Sequence, residues 1–447
     1  MSFLKNQLKT SKVFFIAWCT IAAFGAYFSM YAFRKPFNAG TYKGYFLWGL
    51  DYKVVLIIFQ VFGYMFSKFV GIKIISELKP TKRIKLIIGL ILFAEISLLF
   101  FGLVPYPYNF IFLFMNGLPL GMVWGIVFSF LEGRKLTEMI SFGLCFSLTI
   151  ASGVLKTIYF AVQSVFPLSE FWMPFAIGLL FLPVFCFFVW MLSIIPGPSD
   201  EDKLLRTERV PMTGEDKKQV IRQYGFGLVC IVITYAMLTM LRDFRDNFSV
   251  EIWTEIDKGF SDAVFSQTEI IIGIIVLTII ASISLIRNNL KGFRITYLVM
   301  AIGILMSGVS TFLFHLHILS PFYWMLFIGM GMFLAYTPVQ VVLFERMFGM
   351  FKIKGNAGFF IYICDSIGYM GSVGLLLYKE FFMAHVSWAK VMMEFSYLLT
   401  GISFTLLFLS LLFFNSKLRV GKPGINKFIN VFFARKIVIP KKLPGNK

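Results

Sequence analysis

Apolar stretches about 20 residues long, separated by short polar segments, recur through the whole chain, which is the pattern of α-helices that cross a bilayer. They fall at approximately 13–36, 52–73, 84–104, 109–131, 138–163 and 171–195. After a polar break they resume at approximately 220–246, 267–286, 295–314, 320–344, 356–378 and 391–415. The expected fold is an all-α membrane protein with twelve transmembrane helices in two six-helix halves, 1–195 and 220–415. The break at 196–219, which opens Pro196-Gly-Pro-Ser-Asp-Glu-Asp-Lys203, reads as a linker, and 416–447 as a basic tail.

Composition agrees with that pattern and removes other classes. A chain of 447 residues with 58% hydrophobic residues, 56 phenylalanines and a mean hydropathy of +0.80 is too apolar for a soluble protein. Its net charge of +19 does not point to nucleic acid, because the cations are spread through short segments between apolar runs. Assigned alternately to the two sides, most of the 42 lysines and arginines fall on the side that holds both termini and the linker, which predicts that side to be cytoplasmic. The acidic segment from Ser249 to Gln267 is then outside. The start has a basic n-region, but the apolar stretch after it exceeds a signal-peptide core and lacks a small-residue cleavage site, so it reads as the first span. Five cysteines lie inside apolar segments without a C-x-x-C pair or a histidine cluster. Neither a disulfide framework, a metal site nor another cofactor is expected. The expected partners are the bilayer and a small solute bound by a monomeric chain.

Charges within the apolar runs carry the candidate chemistry. Tyr27, Tyr31 and Arg34 stand at i, i+4 and i+7 and share one helix face, with Lys35 next to them. An intramembrane guanidinium costs roughly 2.5 to 3.5 kcal/mol on insertion scales, so it is expected to face a cavity or a partner; the alternative is an end-flank of the first span. Arg242 follows the start of span seven at nearly the distance at which Arg34 follows the start of span one, as matching cations around a site between repeats would. In Leu241-Arg242-Asp243-Phe-Arg245-Asp246, Asp243 and Arg245 allow either cavity charges or a local helix-end ion network. Lys68 either lines the cavity or snorkels to the interface. Glu95, Lys156 and Asp365 lie deeper and are expected to line the cavity, pair with cations or carry a coupling proton. Gly117, Gly121 and Gly125, and Gly368, Gly371 and Gly374, are expected to let helices approach closely.

Two arginines, a lysine and tyrosine hydroxyls suit an anion, since guanidinium groups grip carboxylate or phosphate oxygens in pairs. The chain has no Walker loop, zinc signature or G-x-S-x-G, so neither an ATP-driven pump nor a membrane enzyme is indicated.

These residues resemble motifs of the major facilitator superfamily, and within it of the organophosphate:phosphate antiporters that carry glycerol 3-phosphate or hexose phosphates. Tyr27-x3-Tyr31-x2-Arg34-Lys35-x-Phe37 is similar to the first-helix motif in which the arginine binds phosphate. Gly63-Tyr-Met-Phe-Ser-Lys68-Phe is similar to the second-helix segment, Leu241-Arg242 to the second phosphate-binding arginine, and Ser366-Ile-Gly-Tyr-Met-Gly-Ser-Val373 to helix eleven. The sequence departs from those families in its long, degenerate Gly71–Arg83 loop, in having no histidine around Phe146-Ser147-Leu148, and in the extra charges of Arg242–Asp246. It is also similar to a Bacteroidetes group of this superfamily. The resemblance implies a secondary antiporter of an anionic organic solute, phosphorylated or not, in a bacterial inner membrane. A transporter-like receptor for such a ligand is the alternative.

Overall fold

Helices stand where the apolar stretches expect them. In the computed structural model, which describes residues 2–76, 78–131, 137–197, 214–286, 288–351, 353 and 357–419, a short helix α1 (Ser2–Thr10) precedes α2 (Lys12–Ala32). Then come α3 (Tyr52–Ser76), α4 (Arg83–Leu103), α5 (Phe110–Leu131), α6 (Thr137–Val165) and α7 (Met173–Ile194). The second part holds α8 (Gly214–Asn247), a short α9 (Ser249–Ile256), α10 (Val264–Ser284), α11 (Asn289–His315), α12 (Pro321–Pro338), α13 (Phe344–Phe351), α14 (Ala357–Phe382) and α15 (Trp388–Arg419). Among the described residues, eleven helices are long and apolar enough to cross a membrane, which makes this a multi-pass membrane protein. The 25-residue α3, which carries Lys53 and Lys68, packs beside them against α5 and is not one of the eleven. Most of the expected linker and tail, 198–213 and 420–447, lies outside the described residues.

Helices α2 to α7 pack mainly on one another, and so do α8 to α15. The two sets meet chiefly where α6 lies along α10 and α3 crosses α14. The contact of α3 with α5 depends on glycine. A Cβ placed on Gly117 would lie 2.3 Å from the carbonyl oxygen of Gln60, and one on Gly63 would lie 2.2 Å from that of Phe114. Both distances are far inside van der Waals contact, so the two backbones touch only because neither position carries a side chain. Gly374, in contrast, faces no atom within 4 Å and has no such packing task.

The first span ends earlier than its hydropathy suggests. Ser11 caps α2 by accepting a hydrogen bond from Phe14 N, and regular helix stops at Ala32. Pro36 then opens a 3₁₀ turn, Pro36–Ala39, because proline cannot continue the ladder. The freed carbonyls at this helix end are not wasted: Asn116 Nδ2 donates to Phe33 O at 2.9 Å, and Gln60 Nε2 donates to Arg34 O at 2.9 Å. Arg34 and Lys35 thus sit on a turn held from below by α3 and α5. Late in the chain, α12 runs into Pro338 and a π-helical turn, Val339–Leu343, a distortion expected where a proline removes a backbone donor. Below, the end of the bundle where α2 begins is called proximal and the end where it finishes distal.

Candidate functional site

A cavity of about 170 Å³ lies between the two helix sets. Tyr27, Tyr31, Arg34, Lys35, Lys68, Arg242, Asp243, Arg245 and Asp365 all line it, so the structure brings nine of the sequence-derived candidates together. Two are placed elsewhere. Lys156 lines a small neighbouring pocket behind Asp246. Glu95 is only 5% exposed and points from α4 to the backbone of α7, where a Cβ on Gly178 would meet its carboxylate. It neither lines the cavity nor pairs with a cation among the described residues, and neither of its oxygens has a hydrogen-bond partner. Helix rotation explains the misplacement: depth in a span says nothing of which way a side chain faces.

The carboxylates of the cavity are engaged one by one. Arg242 meets Asp243, the next residue, at Nη2–Oδ1 2.7 Å and Nε–Oδ1 3.0 Å, while Ser372 Oγ donates to Asp243 Oδ2 at 2.8 Å. Its guanidinium also touches the hydroxyl of Tyr336 and lies 4.6 Å from the centre of that ring. Arg245 meets Glu269 at 2.5 Å and donates to Met325 O at 3.1 Å. Lys68 reaches Asp365 at 2.5 Å rather than snorkelling to the interface, and Asp365 Oδ1 accepts from Tyr235 OH at 2.6 Å. Gln340, carried on the π-helical turn, donates to the hydroxyls of Tyr235 and Tyr336 at 2.7 and 2.9 Å. The symmetric pair expected from sequence is therefore asymmetric in charge, because Arg242 carries its own counterion.

Arg34 has none. No carboxylate or hydrogen-bond acceptor meets its guanidinium among the described residues, its Nε is buried without a partner, and the residue is 8% exposed. What faces it is the Tyr64 ring, whose centre lies 3.8 Å from the guanidinium carbon, with Tyr31 at 5.9 Å. A cation held this way gains on the order of 2 kcal/mol when desolvated, which offsets only part of its burial cost.

Toward the distal end the two sets are tied together. Lys35 meets Asp246 at 2.6 Å and Lys156 meets it at 2.8 Å, with Lys35 and Asn38 both donating to Asn247 Oδ1. Farther out, Lys53 meets Glu251 at 2.6 Å, and Asp51 N donates to Glu380 Oε2 at 3.1 Å. In Lys35–Asp246, Lys156–Asp246, Lys53–Glu251 and Lys68–Asp365 alike, the cation comes from the first helix set and the carboxylate from the second.

Sequence reasoning passed over Tyr64, Tyr336, Gln340, Glu269 and Tyr369, all of which line the cavity. For all of these but Glu269 the signal was present. Tyr64 stands one turn before Lys68, Tyr369 one turn after Asp365, and Gln340 four residues after Tyr336, so each shares a face with another polar residue.

The family description "Family of unknown function (DUF5690)" matches residues 36–417, most of the chain. The chain belongs to the DUF5690 family. The match begins at Pro36, so Tyr27, Tyr31, Arg34 and Lys35 precede it and the other cavity residues lie within it. Among curated proteins none matches this DUF5690 chain significantly. Among solved structures it is similar to the POT family transporter PepTSo, with 13% identity, a TM-score of 0.59, and 90% of this chain and 97% of that one covered. A structure from work on proton-dependent oligopeptide transporters gives 11% identity, a TM-score of 0.61 and coverage of 91% and 99%. The nucleoside transporter NupG gives 14%, 0.57, and 89% and 98%. At these identities the likeness establishes the fold, that of the major-facilitator-like membrane transporters. It does not single out the organophosphate antiporters.

Proposed function

We propose that this protein is a secondary transporter of a small anionic organic solute, carboxylated or phosphorylated, that exchanges its cargo by alternating access. Two six-helix halves, 1–195 and 220–415, rock about the central cavity across twelve spans, with both termini on the cytoplasmic side of a bacterial inner membrane. The transporter fold favours a carrier over an enzyme. The observation that carries the anionic part is Arg34: a buried, cavity-lining guanidinium with no counterion among the described residues. Such a group is costly unless a ligand supplies the missing charge. Because three of the ion pairs that join the helix sets, Lys35–Asp246, Lys156–Asp246 and Lys53–Glu251, lie toward the distal end and one, Lys68–Asp365, toward the proximal end, the distal end corresponds to a closed outer side in this reading.

Exchange follows from the same residue. An empty carrier must close around a bare cation, whereas a loaded one closes around a neutralised pair, so the loaded form should cross more readily. The test is counterflow in proteoliposomes loaded with unlabelled glycerol 3-phosphate, benzoate, succinate or glucose and diluted into a trace of the same labelled compound. Accumulation of at least one anion, and not of glucose, is expected. Binding of an anion without counterflow would instead support a receptor, and accumulation of glucose alone would overturn the anionic reading.

A further inference from the structure

A solute whose acidic group meets Arg34 has its remaining atoms among aromatic rings. The Arg34 guanidinium stands 3.8 Å from the centre of the Tyr64 ring and 5.9 Å from that of Tyr31. Tyr369 of α14 meets Tyr64 of α3 edge to face across the two helix sets, with centres 5.6 Å apart, and Tyr336, Tyr362 and Trp124 continue the wall. Trp124 is itself held by Phe128, stacked on it at 5.1 Å. Oxygens free to accept a hydrogen bond are scarce by comparison. Each of the three aspartates in the described lining has both oxygens taken: Asp243 by Arg242 and Ser372, Asp246 by Lys156 and Lys35, and Asp365 by Tyr235 and Lys68. Glu269 gives one oxygen to Arg245, and the Tyr336 hydroxyl is met by both Arg242 and Gln340. Neither asparagine nor histidine stands in the described lining.

From this contrast, and resting on the anionic carrier proposed above, we infer that the body of the cargo is a flat ring without hydroxyl groups, as in an aryl carboxylate or an aryl phosphate. The charge of the acidic group plays no part in the choice; the body decides. A polyol leaving water carries one O–H donor for each hydroxyl, and a donor left without an acceptor in a cavity costs affinity. A flat ring asks for no acceptor. It packs against aromatic faces and edges, which attract it beyond the area they bury. Size agrees, since the cavity measures about 170 Å³ and one of about 150 Å³ admits benzene. The site thus has room for one ring and the acidic group at Arg34.

The test compares bodies at matched charge. Purified full-length protein is titrated by thermal shift with two pairs, benzoate against gluconate and phenyl phosphate against glycerol 3-phosphate, and with cyclohexanecarboxylate and benzyl alcohol. In at least one pair the aryl member should bind about tenfold or more tightly than its hydroxylated partner, and benzoate should exceed cyclohexanecarboxylate by about threefold or more. Arg34→Gln should remove the stabilisation by the aryl anions, which separates binding at the site from partition of an aromatic solute into detergent. Trp124→Leu should narrow the ratio within the pair; should that variant fail to fold, the parent's ratios decide alone. Equal or tighter binding of the hydroxylated member in both pairs overturns the inference and leaves an anion carrier intact. Cyclohexanecarboxylate binding as tightly as benzoate overturns it as well, because walls that are merely apolar do not tell the two apart. A panel in which no anion stabilises the protein, whatever benzyl alcohol does, overturns it together with the anionic reading on which it rests.

Discussion

The guanidinium carbon of Arg34 lies 3.8 Å from the centre of the Tyr64 ring, so the cavity's unpaired cation is held by an aromatic face rather than by an acid. An aromatic partner steadies the cation without neutralising it. A carboxylate in the same place would have satisfied Arg34 and left nothing for a solute to do.

Removing the planar fork while keeping the charge separates the two things Arg34 offers. With Arg34→Lys, a carboxylate or phosphate loses its two-pronged contact, and a charge-assisted hydrogen bond is typically worth about 1.5 to 3 kcal/mol. Affinity for the anion that the parent binds best, read by thermal-shift titration of the purified protein, should fall by roughly tenfold or more. Normal membrane abundance together with unchanged binding and counterflow would make Arg34 a structural residue.

Tyr64 offers a second, milder probe. Tyr64→Phe keeps the ring under Arg34 and should leave anion binding within about threefold of the parent, whereas Tyr64→Leu removes the π face and should cost about 1 to 2 kcal/mol. Equal behaviour of the two variants in the binding titration would show that the ring does not position the guanidinium.

Lys53 and Glu251 join the two helix sets at 2.6 Å near the distal end. If that end must open during transport, a Lys53→Cys, Glu251→Cys pair bridged by a short bis-methanethiosulfonate reagent, which spans the length of the two lost side chains, should abolish counterflow and recover it on reduction. Retained counterflow in the fully cross-linked protein, checked by its gel mobility after cleavage between the halves, would mean that this pair never separates.

Glu95 should be dispensable for coupling. Its carboxyl is buried against α7 with no partner among the described residues and does not reach the cavity. Glu95→Gln, which keeps the shape and removes the ionisable group, is expected to retain counterflow within about twofold and to be at least as stable on heating. Loss of proton-dependent uptake in a protein that still binds its anion would return Glu95 to the transport pathway.

How much of this could be read from the chain follows from what hydropathy and helical spacing encode. Span positions were legible because a helix in lipid must hide its backbone along about 20 residues, and no tertiary contact alters that. Tyr27 and Tyr31 were legible as one helix face from their spacing of four, and Arg34 joins them in the cavity from the turn beyond the helix end. The stop at Ala32 was not, since it depends on Gln60 and Asn116 reaching over from other helices. The partners of the charges were equally hidden: Lys68 finds Asp365 and Lys35 finds Asp246 across the gap between helix sets, contacts that no local spacing announces. Arg242 invited a symmetric role from its position, and only the orientation of the adjacent Asp243 shows that its charge is already met.

In the four ion pairs that join the two helix sets the cation always comes from the first and the carboxylate from the second, and this arrangement matters at the moment the distal end parts. Lys35, Lys53 and Lys156 would then line one wall of the opening, with Asp246 and Glu251 on the other. Such a vestibule carries a field directed across its width, and an arriving anion drifts to the basic wall, which ends at Arg34, while a cation is drawn to the opposite side. Guidance of this kind fades as added salt shortens its reach to about 10 Å or less. The initial rate of anion uptake should therefore fall between 10 and 200 mM of an inert salt, roughly, more steeply than equilibrium affinity does; parallel declines would mean that the opening offers the solute no direction.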